Sequence, residues 1–431
     1  MTVEHASEGT GKLSKVLLIA YEYPPVLSAQ SIRWYYLSKE LQRNGLQVHV
    51  LTVSLAVEES LALPEPAGIE IHRVFAGPFV GSASRIRGGK ARTPVPSGTA
   101  GRKSVNRSLA ERLYRSLRSV LDKVVFPDVR GEWRPFASRR LRELLSRQQY
   151  DCIIGSHEPA VDLQLAAQAR GVRGSRLIAD MGDPIATAYT PGWRYRFDYF
   201  MEGRILRKFD TVVVTSERAA EELAGRHGLD AAVFEVIPQG TSLQVDFPPS
   251  EQCRELLRKL EGQFTIVYTG NFYHDFRNPD AIRQALSRLD SVYFVLVGSE
   301  GHAFEELTNV EVIPKLGHFD CLHLQRACTV LLSLVNRQAE QTPGKVMEYL
   351  GAGRPILHVF QQPDFAADLI RRLNRGITVE NRASAIEAAI RRLQVQHEAN
   401  TLHKDYDLGP EVVEPYGWRA LGLSYARITQ A

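Results

Sequence analysis

Short apolar runs along the chain alternate with segments that have helical periodicity. Residues 15–20 form the first predicted strand, and residues 31–44 follow as a helix, with Gly45 just after its end, where a left-handed turn is common. Residues 48–52 form the next predicted strand and complete a βαβ unit, which wraps with a right-handed crossover. Continuous apolar strands separated by helices indicate a parallel sheet that is buried on both faces. The pattern therefore predicts an α/β protein.

The same rhythm occurs in two series, which indicates two domains. Residues 246–262, which include Pro248 and Pro249, separate the series and are predicted to be a hinge. We predict an amino-terminal domain over residues 1–245, a second domain over 263–412 and a terminal helix over 413–431. The further predicted strands are 69–74, 152–155, 176–180, 211–214 and 233–237 in the first series, and 264–268, 293–297, 310–313, 330–334, 355–359 and 376–379 in the second.

Composition narrows the classes of protein that fit. A length of 431 residues suits two domains of roughly 150–200 residues each. The net charge of +4 is too small to imply nucleic acid, and the longest apolar runs are shorter than the roughly 20 residues of a membrane span. Glu4 and Glu8 make the start of the chain unlike a signal peptide. The four cysteines lack zinc spacing, so we expect a cytoplasmic protein with no structural metal.

One segment interrupts the regular pattern. Residues 81–107 are rich in Gly, Ser, Pro, Arg and Lys and contain no Asp or Glu. This composition is typical of a disordered, solvated loop. A basic surface near an acidic acceptor or an anionic membrane face is a compatible second interpretation.

The segment around residues 340–354 has the residue types needed to bind a sugar diphosphate. Pro343 and Gly344 suit the start of a helix, where free backbone amides bind phosphate, and Lys345 adds a positive charge there. Glu348 lies about one turn further on, where a carboxylate can accept hydrogen bonds from a ribose diol. Glu340, on the preceding loop, could meet the sugar beyond the diphosphate. Taken singly, each carboxylate is better explained as a solvated residue, but together with Pro343, Gly344 and Lys345 the two favour the functional interpretation.

This segment resembles the E-x7-E motif of family 4 retaining glycosyltransferases with the GT-B fold. Further similar segments are residues 21–25, 33–37, 236–240, 268–271 and 416–418. The resemblance implies two Rossmann-like domains whose parallel sheets face a central cleft. It also implies that the second domain binds the nucleotide sugar and that the final helix returns to the first domain.

The resemblance implies roles for residues in the second domain. Glu348 would hold the ribose, and Glu340 would contact the transferred sugar and take part in catalysis. Gly344 and Lys345 would bind the diphosphate. Asn271 stands where many members have an Arg, Arg277 would be a second cation on the leaving group, and Gly317 belongs to a loop that contacts the base.

The first domain supplies the other predicted site residues. His157 follows a strand and resembles the family's histidine at the cleft floor, where it would orient the sugar; it could also simply cap the strand. Asp180 and Asp183 are candidates for binding the acceptor hydroxyl, although Asp183 could instead cap the next helix. Residues 28–31 lack the usual glycines, so the phosphate contact would either come from Ser28 or Ser31 or be weaker.

Together these features predict a retaining, metal-independent glycosyltransferase that moves a sugar from an NDP-sugar donor to an acceptor hydroxyl, without a further cofactor. The acceptor could be a carbohydrate, a lipid-linked intermediate or a small molecule, in surface polysaccharide or glycoconjugate synthesis. Peripheral contact with the inner face of a membrane is a possible addition, and nucleic acid is not expected. The alternatives are a sugar-nucleotide epimerase, a phosphorylase, or a non-catalytic protein that binds nucleotide sugars.

Overall fold

The fold consists of two parallel sheets, each covered by helices, as the apolar pattern predicts. It is given by a computed structural model that describes residues 14–81, 128–172, 174–187, 190–270, 279–298, 304, 306–313, 315–334 and 344–430. Among these residues, no helix has both the length and the apolar character needed to cross a membrane.

The first sheet is formed by the first seven strands of the chain. These are β1 (Lys15–Ile19), β2 (Gln47–Ser54), β3 (Glu70–Phe75), β4 (Cys152–His157), β5 (Arg176–Met181), β6 (Thr211–Val214) and β7 (Phe234–Val236). They are parallel and lie in the order β3-β2-β1-β4-β5-β6-β7. The order reverses next to β1, so the carboxyl ends of β1 and β4 border the crevice where ligands bind in open α/β sheets.

The second sheet contains six strands. These are β8 (Thr265–Thr269), β9 (Tyr293–Val297), β10 (Val310–Ile313), β11 (Val330–Leu334), β12 (Ile356–Phe360) and β13 (Gly376–Glu380). Their order is β10-β9-β8-β11-β12-β13, with all pairs parallel.

Helices cover both faces of each sheet. The α-helices are Ala29–Arg43, Arg134–Arg147, Ala160–Ala166, Gly192–Leu206, Glu217–His227, Glu251–Leu260, Asp280–Leu286, His318–Ala327, Gly344–Leu350, Phe365–Arg372, Ala383–Glu398, Leu402–Asp405 and Trp418–Gln430. Short 3₁₀ helices occur at Glu59–Leu61, Val129–Trp133, Ala167–Ala169, Ala231–Val233 and Glu414–Tyr416.

Alternation along β1 shows why its sequence is continuously apolar. Leu17 and Ile19 pack into the core on one face of the sheet, whereas Val16 and Leu18 pack into the core on the other. Successive side chains of a strand point to opposite faces, so a strand covered on both sides needs apolar residues at every position.

The segment 246–262, where the sequence places a hinge, contains the helix Glu251–Leu260. Its buried residues Cys253, Leu256 and Leu260 belong to the core beneath the second sheet. This part of the segment therefore packs with the second domain.

The final helix, Trp418–Gln430, lies against the helix Ala29–Arg43 of the first domain. Tyr36 stacks on Trp418 with ring centroids 5.1 Å apart, and Trp34 meets Tyr425 edge-on at 5.4 Å. The backbones approach so closely that a Cβ atom on Gly422 would lie 2.2 Å from Cβ of Glu40.

The chain crosses between the domains twice, and the two crossings are hydrogen-bonded to each other. The Thr241 amide donates to the carbonyl of Tyr416 at 2.9 Å, and the Trp418 amide donates to the carbonyl of Thr241 at 3.2 Å. A parallel bridge joins Thr241 to Gly417. The two crossings thus run side by side.

Candidate functional site

The second domain contributes a partly buried carboxylate and a lysine on one helix face. The helix Gly344–Leu350 places Lys345 and Glu348 three residues apart, so their side chains are neighbours. Lys345 Nζ donates to Glu348 Oε1 at 2.7 Å, and Gln325 Nε2 donates to the same oxygen at 2.6 Å. His318 Nδ1 lies 3.7 Å from the other oxygen. The carboxylate is therefore surrounded by groups that favour its charged form.

Electrostatics fix the protonation states of this group. Burial acts to raise the pKa of Glu348, but Lys345 and then His318 outweigh it, and the pKa is lowered. Burial lowers the pKa of His318 to about 4. Near pH 7 the site thus holds an ionised carboxylate beside a neutral imidazole, and the carboxylate can accept hydrogen bonds from hydroxyl groups.

His318 also links the two domains. Its Nε2 atom lies 3.0 Å from Oη of Tyr36 on the helix Ala29–Arg43. Tyr36 in turn stacks on Trp418. Neither His318 nor Gln325 belongs to a short sequence motif, and both meet Glu348 only in the folded chain, so no local pattern marks them as site residues.

Two of the predicted glycines lie at the boundary between the domains. A Cβ atom on Gly344 would lie 3.7 Å from Cγ of Gln239, and one on Gly317 would lie 3.4 Å from the carbonyl oxygen of Ser60. Gln239 and Ser60 both belong to the first domain. The backbone at these glycines therefore lines the space between the two sheets.

On the opposite side, the start of the helix Ala29–Arg43 meets the end of β4. Ser28 is the N-cap of this helix, and its Oγ accepts from the Ser31 amide at 3.1 Å. The side chain of Gln30 donates to the carbonyl of His157. The structure thus brings the predicted phosphate contact Ser28 close to the predicted sugar contact His157.

His157 and Asp183 lie at the ends of neighbouring strands. The amide of Gly182 donates to the carbonyl of His157 at 3.3 Å. His157 is buried, and its Nδ1 has no hydrogen-bond partner among the residues that the structure describes. Burial lowers the pKa of His157, whereas burial and then Glu158 raise the pKa of Asp183 to about 6. The first domain therefore presents a neutral imidazole and a partly protonated carboxyl group.

Asp180 has a different environment from Asp183. It is 1% exposed and forms an ion pair with Arg33, whose Nη2 lies 3.0 Å from Oδ2. Arg33 also donates to the carbonyls of Ile237 and Pro238 at 3.1 and 2.8 Å. The Asp180–Arg33 pair therefore helps to hold the first helix against the chain segment that follows β7. Acceptor binding by Asp180 stays a prediction.

Three carboxylates surround Arg130 and form a second charged group, in addition to the one around Glu348, that no sequence motif indicates. The guanidinium of Arg130 lies 2.6 Å from Asp128, 3.1 Å from Glu22 and 3.8 Å from Glu158. All four side chains are partly exposed, and Glu158 directly follows His157. The four residues come from three separate parts of the chain, so no local pattern could have predicted the group.

A triad of two histidines and a glutamate lies at the opposite edge of the first sheet. The Nε2 atoms of His49 and His72 lie 3.5 and 3.2 Å from the carboxylate of Glu70. The Nδ1 atoms instead face donors, with Gln148 Nε2 and Arg140 Nη2 each at 3.1 Å. A ring nitrogen that accepts a hydrogen bond leaves the proton on the other nitrogen, so the Nε2 atoms carry protons that face Glu70. Among the described residues neither Nε2 atom forms a hydrogen bond to Glu70, so the three side chains are close neighbours and not a hydrogen-bonded triad.

Three predicted site residues lie outside the described residues. These are Asn271, Arg277 and Glu340. Their roles, like those of the other predicted site residues, stay predictions.

Comparison with known proteins agrees with the architecture. Residues 29–240 match the family model described as a glycosyl transferase 4-like domain. A search of curated proteins finds no match.

Solved structures resemble nearly the whole chain. Sucrose-phosphate synthase from Thermosynechococcus elongatus is 17% identical with a TM-score of 0.66, and the match covers 97% of this chain and 98% of that one. Anabaena HepE in complex with UDP and glucose is 13% identical with a TM-score of 0.62, covering 97% and 99%. A glycosyltransferase from Rickettsia africae is 12% identical with a TM-score of 0.61, covering 97% and 98%. These likenesses confirm the predicted GT-B fold.

Proposed function

We propose that this chain is a retaining glycosyltransferase that transfers a sugar from an NDP-sugar to an acceptor hydroxyl. One observation carries the proposal: Lys345 and the ionised Glu348 lie together on a helix that begins beside the first domain. The glycosyl transferase 4-like match over residues 29–240 and the GT-B fold support it.

The donor binds, in this proposal, against the second domain. Glu348 accepts hydrogen bonds from the ribose, and the partly exposed Lys345 turns from Glu348 toward the diphosphate. Free amides at the start of the helix add partial positive charge. Stabilisation of charge on the departing phosphate is the main task in such a transfer. Arg277 and Glu340 are proposed to complete this side, and no step requires a metal.

The acceptor binds, in this proposal, against the first domain. His157 is a buried, neutral imidazole at the end of β4, and in this proposal its ring turns toward the cleft before its unpartnered Nδ1 bonds a sugar hydroxyl. Asp183 and the carboxylates around Arg130 can accept further hydroxyl hydrogen bonds. The acceptor hydroxyl gives its proton to the departing phosphate, so the mechanism needs no separate base. The front-face geometry that retains the anomeric configuration is part of the proposal.

A donor screen followed by product analysis tests the proposal. UDP-, GDP-, ADP- and dTDP-sugars are added to the whole chain, and a binder raises the melting temperature by mass action. UDP-sugars come first because the similar HepE structure holds UDP and glucose. The donor that binds is then incubated with a panel of carbohydrate, lipid-linked and small-molecule acceptors.

The products separate the proposal from its rivals. A new glycosidic bond with retained configuration supports it, and an inverted bond contradicts the retaining mechanism. An epimerised nucleotide sugar would identify an epimerase, and a sugar 1-phosphate would identify a phosphorylase. Binding without turnover across the panel would identify a non-catalytic protein.

The proposed location is the cytoplasm, with contact at the inner face of a membrane. The basic segment 81–107 that suggested this contact lies outside the described residues, apart from its first residue. Its part in membrane contact stays a prediction.

A further inference from the structure

The helix Gly192–Leu206 exposes three large aromatic side chains on one face. Trp193 is 64% exposed, Phe197 is 50% exposed and Phe200 is 60% exposed. They are four and three residues apart, which places them on the same side of an α-helix. We call Trp193, Phe197 and Phe200 the aromatic face. Aromatic side chains grouped in this way mark an interaction site more often than scattered apolar residues do.

Buried polar contacts on the other side hold the aromatic face outward. Asp198 and Arg194 are buried on this side and pair with each other within the helix at 3.0 Å, and the contacts that fix the helix to the rest of the domain come from Glu202. Glu202 is fully buried and contacts His227 at 2.7 Å and Arg226 at 3.2 Å. Removing these groups from their partners would leave charges unpaired in the interior, which is costly. The helix therefore cannot rotate to bury its aromatic residues.

The charge around the aromatic face is positive. Arg196 and Arg204 are exposed on the same helix, and Arg207 and Lys208 are exposed directly after it. The acidic residues of the helix, Asp198 and Glu202, are both buried. Aromatic residues bordered by cations, on a helix whose own acidic residues are both buried, are the pattern of a helix that lies in the interface of an anionic membrane.

The helix is joined to the acceptor side of the cleft. Glu202 accepts a hydrogen bond from the amide of Ile185, two residues after Asp183. Arg194 in the first turn adds to the positive field at Asp128, which pairs with Arg130. A surface that held this helix would therefore lie close to the charged group around Arg130.

We propose that the aromatic face and its flanking cations dock the protein on an anionic lipid surface. Docking in this position brings the acceptor side of the cleft next to the membrane and suits an acceptor that is anchored in lipid. The acceptor statement rests on the proposed glycosyl transfer, whereas docking itself does not.

Vesicle sedimentation of the whole chain tests docking without any donor. We expect binding to phosphatidylglycerol-containing vesicles and little binding to phosphatidylcholine vesicles. The double variant Trp193→Ser/Phe200→Ser should bind at least about tenfold more weakly, because two large aromatic side chains are no longer withdrawn from water on docking. The variant Arg196→Gln/Arg204→Gln should bind more weakly and show less dependence on salt.

The matched control is Phe365→Ser, which removes an aromatic residue of 42% exposure from the second domain. It should bind vesicles as the wild type does, and unchanged melting temperatures check that all variants fold. Absence of wild-type binding to anionic vesicles, or equal binding by Trp193→Ser/Phe200→Ser, would overturn the proposal. Concentration-dependent self-association that only this variant loses would instead assign the face to a second copy of the chain.

Failure of docking and failure of glycosyl transfer have separate signatures. Transfer to a water-soluble acceptor should be unchanged in Trp193→Ser/Phe200→Ser, because neither residue contacts the groups assigned to the cleft. If this variant loses vesicle binding but transfers sugar to a water-soluble acceptor normally, the aromatic face serves docking and not catalysis. If the wild type binds vesicles but transfers no sugar, docking stands and the proposed glycosyl transfer fails.

Discussion

The surroundings of two carboxyl groups, one on each side of the cleft, shift their pKa values in opposite directions. Glu348 is enclosed, but Lys345 and His318 lower its pKa despite burial. Asp183 is also enclosed, and because no cation offsets its burial, its pKa rises to about 6. Environments that separate the pKa values of similar groups commonly mark functional sites. The difference fits a hydrogen-bond acceptor for the ribose on one side and a group that can also donate on the other.

The charge of Glu348 is expected to be required for donor binding. Glu348→Gln keeps the shape of the side chain and removes its charge, and hydrogen bonds to charged groups are worth about 1.5–3 kcal/mol. Donor affinity, measured by titration calorimetry, should therefore fall by about 10–100-fold with little change in melting temperature.

Glu311→Gln provides a matched control for that change. Glu311 also contacts a lysine, Lys259, at 2.7 Å, but on β10, away from the cleft. It should leave donor affinity unchanged. Equal affinities for wild type and Glu348→Gln would remove Glu348 from the donor site.

The raised pKa of Asp183 predicts a pH-dependent effect on stability. A carboxyl group that holds its proton more tightly in the folded state stabilises the protein at low pH, and this stabilisation is lost as the pH rises from about 4 through 6. Asp183→Asn stays neutral, so its free energy of unfolding relative to wild type should increase over this range and level off above pH 7. The gain is at most ~3 kcal/mol.

Urea unfolding at several pH values measures this difference. Asp290→Asn, at an exposed position, serves as the control and should show a small difference. A difference for Asp183→Asn that does not change between pH 4 and pH 7 would show that Asp183 titrates like an exposed carboxyl group.

At the scale of helices, the close contact between the final helix and the first helix joins the ends of the chain. Gly422 faces Glu40 across this contact without room for a side chain. Tyr36 of the first helix touches both Trp418 and His318. The position of the final helix is therefore linked through Tyr36 and His318 to the carboxylate of Glu348.

Gly422→Ala should destabilise the protein, although alanine is the better helix former. The added methyl would lie 2.2 Å from Cβ of Glu40, so the helices must move apart, and overpacking costs about 1–3 kcal/mol. Gly225→Ala in the helix Glu217–His227 is the control, because nothing lies within 4 Å of the added atom. Gly225→Ala should stabilise by up to about 1 kcal/mol. Urea unfolding distinguishes the two, and a stabilising Gly422→Ala would show that the helix contact is looser than described.

At the scale of the whole molecule, the sequence predicts what depends on local pattern and misses what depends on tertiary contact. The sheets follow from apolar runs, and the helix predicted to start near residue 343 is helical from Gly344, the first residue described there. The contact between Tyr36 and His318 spans 282 positions, and that between Arg130 and Glu22 spans 108. Residues so far apart in the chain share no periodic pattern, so the sequence alone does not predict these contacts.

Burial also decides which residues of a sequence motif can contact a ligand. Asp180 and Asp183 look equivalent in sequence, but β5 directs Asp180 toward Arg33 in the interior, whereas Asp183 lies beyond the end of the strand. Which of two nearby acids is available to a ligand depends on where the strand ends and on what lies behind it.

The paired crossings at Thr241 and Gly417 limit how the two halves can move. One covalent link would permit swivelling in any direction, whereas two adjacent links that are hydrogen-bonded to each other at one point resist twisting and sliding. Bending about an axis that passes through both crossings stretches neither of them. We expect any opening and closing of the cleft to follow this one angular motion, so that the facing groups return to the same alignment each time the halves meet.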